Sequence, residues 1–236
     1  MRSNVKRGLA VEAVRRAVPR LTELAPGMTS SFVREALNRA IAGVGPLPPA
    51  ARAAEAQLRE QDGDVDRGVR ELIENHVRYA GLGGFVTNLG GLVTAAVVAP
   101  ANITGLALIQ CRMVAGIAHL RGYDLDDPRV RNAILVTVLG EESVRRMVKK
   151  LELPAPPMAL ATAPQHDPGL DRTITNAVAS DLVSRVVGRR LATTVGRRVP
   201  LVGGVVGAGS DGYSTWKVGR YADREFLPRS AARETA

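Results

Sequence analysis

Cysteine is almost missing: Cys111 is the only one in 236 residues, so the chain can form no internal disulfide and has none of the paired-cysteine spacings of a structural zinc site. That suits a reducing compartment. Aromatic residues are scarce, at 3%, which removes the usual filling of a β-sandwich. An N-terminal apolar run is also lacking, because Arg2, Lys6, Arg7, Arg15 and Arg16 interrupt the first residues. No signal peptide is expected, and the predicted location is the cytoplasm or the inner face of the cell membrane. No strand-turn-strand pattern and no internal repeat occurs. What is present is 45% hydrophobic residues, dominated by alanine, valine and leucine, with arginine as the commonest charge. That composition predicts an all-α multi-helix bundle packed through small and aliphatic side chains. A formal charge of +9 directs attention to acidic partners: nucleic acid, anionic lipid or an acidic protein surface.

Local signals divide the chain. Residues 5–43 read as two helices split near Ala25-Pro26-Gly27, and Gly45-Pro46-Leu47-Pro48-Pro49 is a stiff connector. Residues 50–61 form a polar helix expected to be exposed and loosely attached. From Asp64, Val65, Val69, Leu72, Ile73 and His76 recur at helical spacing. Asp127-Pro128 starts a further helix with a cap and a first-turn proline, and Gly140 can close it. Pro154, Pro156, Pro157, Pro164 and Pro168 mark a linker predicted to be the most mobile internal segment. A long helix then runs to about residue 198. Pro200 begins a last unit, glycine-rich to Gly212 and helical again through Tyr221 and Phe226. The predicted domains are a helical extension over 1–61, a helical domain over 64–228 and a flexible tail over 229–236.

Residues 85–109 contain no formal charge, which exceeds the ~20 residues that a spanning helix needs. Asn88, Gly90-Gly91, Pro100 and Asn102 interrupt the run, however, and predict two helices, 84–99 and 100–121. A buried apolar hairpin is the expectation; a membrane hairpin and conditional lipid insertion are the alternatives. Thr87, Gly91, Ala95 and Ala99 lie one turn apart as a ridge of small residues for close helix packing.

Three segments carry a resemblance: Gly81-Leu82-Gly83-Gly84-Phe85-Val86, then Ile117-Ala118-His119-Leu120-Arg121-Gly122-Tyr123-Asp124-Leu125-Asp126, then Val199-Pro200-Leu201-Val202-Gly203-Gly204-Val205-Val206-Gly207. In order and spacing the chain resembles the bacterial EcsC family over roughly residues 64–227. The resemblance implies a neighbourhood, since the namesake is encoded beside the subunits of an ABC-type transporter, but no catalytic residues and no cofactor. The matching positions, Gly83, Gly84, Gly122, Tyr123, Asp124, Pro200, Gly203, Gly204 and Gly207, are expected to be structural, with Gly122 a left-handed helix cap and the late glycines close helix contacts.

Other constellations are weighed on chemistry. Gly207-Ala208-Gly209-Ser210-Asp211-Gly212 has the letters of a dinucleotide fingerprint but no βαβ unit around it. Ser210 with His119 or His166 and Asp124 would make a hydrolase triad, but both histidines precede the serine. His119 and Asp124 are too few ligands for a metal site. Arg112 interrupts an apolar helix and must snorkel, pair with Asp124 or Asp211, or face a polar cavity; a structural ion pair is the first expectation, and binding of a lipid headgroup or a partner's carboxylate is the alternative. Arg185, Arg189, Arg190, Arg197 and Arg198 form the densest basic cluster, a solvated face or a contact for anionic lipid. Without interleaved aromatics it is a poor nucleic-acid surface. The expected function is therefore a non-enzymatic helical accessory protein at the cytosolic membrane face, binding anionic lipid or a membrane-protein partner. A Ser210-dependent hydrolase and a nucleic-acid binder are the alternatives.

Overall fold

The computed structural model describes the backbone of residues 26–43, 47–89, 95–195 and 200–229, and the side chains of 33–43, 47–81, 105–181 and 209–229. Among the described residues there are nine helices and no strand: α1 (Pro26–Ala42), α2 (Ala50–Glu60), α3 (Val65–Leu89), α4 (Ala95–Leu120), α5 (Pro128–Leu139), α6 (Glu141–Lys149), α7 (Pro157–Ala161), α8 (Pro168–Val195) and α9 (Pro200–Glu225). The all-α bundle expected from composition is what the chain forms.

The apolar sequence of α4 explains its place at the centre. Every residue from Gln110 to Ala118 is buried, so this helix has no polar face to give to solvent and must be surrounded. It packs on α1, α2, α3, α5 and α9. The second core helix is α5, buried continuously from Asn132 to Leu139 and covered by α7 and α8. Its start follows from sequence: the Asp127 carboxylate accepts the Arg129 N–H at 2.8 Å with Pro128 in the first turn, and Gly140, at φ +85°, closes it. The end of α4 is a two-bond cap around Gly122, also at φ +85°. There the Gly122 N–H donates to the His119 carbonyl and the Tyr123 N–H to the Ala118 carbonyl.

The topology of the site follows from a few contacts. Gly68 meets Leu120 and Gly116 meets Leu72, so α3 and α4 are antiparallel. Gly212 meets Val77 and Gly219 meets Ile73, so α9 runs antiparallel to α3. The Gln110 side chain donates to Thr215 at 3.3 Å and Gly219 meets Met113, so α9 is parallel to α4.

Several expectations need correction. The amphipathic helix from Asp64 and the first limb of the apolar hairpin are one helix, α3, because each interior glycine among 81, 83 and 84 costs only about 1 kcal/mol, which the packing of α3 on α9 offsets. The second limb starts at Ala95 rather than Pro100. Pro100 lies near the helix start, where its missing N–H forfeits about one intrahelical bond. The glycine-rich unit from Pro200 is not separate from the last helix; both belong to α9. The polar helix α2 is firmly attached through its alanines, with Ala50 and Ala54 buried in the core. The expected mobile linker is packed: Leu153 is 1% exposed, Pro157, Leu160 and Ala161 are buried, and the Met158 N–H donates to Glu225 of α9 at 3.0 Å. Prolines suit such a segment because they leave fewer N–H groups to satisfy. The hairpin side chains 82–104, with Thr87, Gly91, Ala95 and Ala99, lie outside the described ones, as do the backbones of 1–25 and 230–236. Among the described residues no helix is long and apolar enough to cross a membrane.

Candidate functional site

Helix α9 carries two unlike faces. One buries Thr215, Val218, Tyr221, Ala222 and Phe226. The other, at the i, i+3, i+4, i+7 spacing of a helix edge, presents Tyr213, Trp216, Lys217 and Arg220. Tyr213 is 62% exposed and Trp216 46%. Their rings stack at 6.0 Å and 16°, and the Lys217 ammonium lies 5.8 Å from the Tyr213 ring centre, within cation–π range. Arg220 lies 3.6 Å from Asp223, and Arg224 pairs with Glu141 of α6. The helix is fixed beneath this face by tight contacts, since a Cβ on Gly219 would lie 2.9 Å from Ile73 Cγ2 and 3.2 Å from Met113 Sδ.

The far end of α9 is held by Arg121, whose guanidinium donates to Asp66 at 2.7 Å and to Asp223 at 2.8 Å. One side chain thereby joins the start of α3, the end of α4 and the end of α9. Tyr123 beside it is buried, edge-on to Phe226 at 5.1 Å, with the Arg229 guanidinium 5.4 Å from its ring. Asp124 is exposed and accepts the Asp126 N–H at 2.9 Å. It lines a shallow open recess with Asp127, Arg129 and His166. Arg129 holds the Asp127 carboxyl below its ordinary range by hydrogen bonding and charge.

The triad candidates do not converge. His119 is engaged with Glu55 at 2.9 Å and His166 with Asp171 at 2.8 Å. Ser210 is exposed on α9, one turn before Ser214, which meets Gln110. Ser210 is thus level with about residue 106 of α4, some 13 residues or roughly 20 Å along that helix from His119. Among the described residues no cluster of three or more His, Cys, Asp or Glu could hold a metal ion. Burial pushes the Cys111 thiol up to about 12, so it is an unreactive core side chain.

Arg112 is buried, 8% exposed. Among the described residues it makes no hydrogen bond or ion pair, with Asp124 and Asp211 included. The basic cluster divides: Arg185, Arg189 and Arg190 belong to the backbone of α8 with side chains outside the described ones, and Arg197 and Arg198 lie outside the described residues altogether. Gly83 and Gly84 fall within α3, and Pro200, Gly203, Gly204 and Gly207 within α9; of what packs against them nothing is described. Tyr213, Trp216, Lys217 and Arg220 were not singled out from sequence. Their one-turn spacing beside the chain's only tryptophan was the available signal.

Among known proteins, a family model described as the EcsC protein family matches residues 14–230. The match takes in α1 and α2, whose Val33, Leu37, Ala40, Ala50 and Ala54 belong to the same core as α4 and α5. No curated protein and no solved structure matches the chain.

Proposed function

The chain belongs to the EcsC protein family, and on that premise we propose that it is a non-enzymatic accessory protein that binds anionic lipid at the cytosolic face of a membrane. The observation that carries this reading is the outward face of α9. Two stacked aromatic rings held in water by a helix whose opposite side is fully packed lose free energy that a membrane interface returns, because tyrosine and tryptophan favour the headgroup level. Lys217 and Arg220 beside them suit a negatively charged surface, at about 1 kcal/mol each.

Charge along the sequence supports the same reading. Residues 75–123 contain no Asp or Glu, and residues 182–210 contain five arginines and likewise no Asp or Glu. The helix directions bring Leu89, Ala95 and Pro200 to one end of the bundle, and Val195, only five positions before Pro200, must lie near them. That end is built from acid-free segments, the α8 backbone at Arg185, Arg189 and Arg190 among them, and repels an anionic bilayer least. His119, His166 and Asp124 have separate partners, so they do not assemble a triad with Ser210. The transporter that the resemblance implies would be met at the same surface.

Trp216 is its own reporter. On adding phosphatidylglycerol vesicles the fluorescence should shift to the blue, with little change on phosphatidylcholine, and the shift should weaken as salt shortens the screening length from about 10 Å at 0.1 M. Lys217→Gln with Arg220→Gln should weaken binding roughly 10- to 30-fold. An unchanged spectrum with anionic vesicles, or the same shift with neutral ones, refutes the reading.

A further inference from the structure

Arg112 is the charge that the fold leaves unexplained. It stands in the most completely buried stretch of α4, between Cys111 at 3% and Met113 at 0% exposure. The groups that act on it electrostatically are the Tyr79 phenol and the His76 ring, and desolvation pushes its pKa down. A buried guanidinium is normally compensated by a carboxylate, and the stretch that carries Arg112, His76 and Tyr79 supplies none, since 75–123 holds no Asp or Glu. The head is nevertheless not sealed. Arg112 keeps 8% of its surface exposed, and among the described residues its nitrogens make no hydrogen bond.

The two neighbours shape what this opening can take. His76 Nδ1 donates to the Leu72 carbonyl at 2.7 Å, and the ring is neutral at physiological pH because burial holds its pKa down to about 4, so it adds no second positive charge there. Tyr79 is 61% exposed and edge-on to His76 at 6.1 Å, and brings a hydroxyl donor from the surface. We infer that Arg112, with Tyr79 as second donor, forms a binding site for a phosphoryl group. The planar guanidinium fork takes two oxygens of a phosphate and leaves a third for the phenol, a division that a two-oxygen carboxylate cannot match. The site does not rest on membrane docking through α9, whose readout at Trp216 is separate. The group can come from a lipid headgroup or from a free phosphate.

The test uses the full chain. Melting temperature is followed in sodium phosphate, and in sodium acetate and sodium chloride at equal ionic strength, with calorimetric titration of inorganic phosphate and of short-chain phosphatidic acid below its micelle threshold. Phosphate should raise the melting temperature where acetate and chloride do not. Arg112→Lys should weaken phosphate binding about tenfold through loss of the fork, and Tyr79→Phe should weaken it several-fold. Without phosphate, Arg112→Met should melt higher than the parent, because an uncompensated charge is replaced by apolar volume; should that variant fail to fold, the other two still decide. Phosphatidic acid saturating the site at a much lower concentration than phosphate, and competing with it, identifies a headgroup site. Equal affinities identify a site for free phosphate. No phosphate-dependent shift, an equal shift in acetate, or parental affinity in both Arg112→Lys and Tyr79→Phe overturns the inference.

Discussion

Acidification should expose a cost concentrated at His76. The ring is 6% exposed, and desolvation is the largest cause holding its pKa down to about 4 from an ordinary 6.5; the Leu72 hydrogen bond opposes the shift and the Arg112 charge adds to it. In the unfolded chain the ring titrates near its ordinary value, so between the two values the unfolded state binds a proton that the folded state refuses. The folded pKa is the depressed one, and stability is therefore intact above 6.5 and falls as pH falls. The depressed value implies a loss of about 1 kcal/mol at pH 5.5 that grows to roughly 3 kcal/mol well below pH 4.5. Against the 5–15 kcal/mol of a typical domain that is a large fraction. Urea denaturation followed by circular dichroism at pH 7.5, 5.5 and 4.5, for the parent and His76→Gln, measures it. Asp64, held low by the Arg67 N–H, and Asp127, held low by Arg129, also titrate with acid, but equally in both proteins. The parent should lose about 2–3 kcal/mol more than the variant by pH 4.5. Parallel profiles would show that the ring is protonated in the fold as readily as in the open chain, and the desolvation argument would fail.

Three further outcomes follow from packing and capping. Gly219→Ala drives a methyl to 2.9 Å from Ile73 Cγ2 and 3.2 Å from Met113 Sδ and should lower the melting temperature, whereas Gly212→Ala meets Val77 at an ordinary 3.6 Å and should gain about 0.5–1 kcal/mol of helix propensity. The reverse order of melting temperatures would contradict the contact geometry. Leu153→Ala should cost about 2–5 kcal/mol in chemical denaturation, and a change below about 0.5 would return the proline-rich segment to a mobile linker. Asp127→Ala removes the N-cap of a core helix and should cost about 0.5–2 kcal/mol, with Asp127→Asn recovering most of it by the same urea titration.

Much of the helix punctuation was legible in the chain, because capping chemistry is local. Asp127-Pro128, Gly122 and Gly140 act through bonds to residues at most five positions away, so their letters and spacing were sufficient. The all-α class likewise follows from composition, since a chain poor in aromatics and rich in alanine, valine and leucine has few ways to build a sheet core.

Other features depend on partners distant in sequence. The sequence separates the helix that starts at Asp64 from a hairpin limb over 84–99, yet α3 runs on through Gly81, Gly83 and Gly84 because α9 packs against it. Leu153 and Leu160 are held by helices that no local pattern names, and the Arg121 link joins carboxylates 55 residues before it and 102 after it. The surroundings of Gly203, Gly204 and Gly207 lie outside the described side chains, and tight helix–helix contacts are described at Gly116, against Leu72, and Gly219, against Ile73. The sequence reads 213–226 as helical but does not say which side of α9 is wet. Tertiary packing decided that by burying Thr215, Val218 and Ala222 and leaving Tyr213 and Trp216 in water. By itself the sequence determined where most helices begin and end and that positive charge is in excess. Only the tertiary structure decided which side chains face solvent and that Arg112 is buried beside Tyr79 and His76, because burial is a property of neighbours that the chain order does not contain.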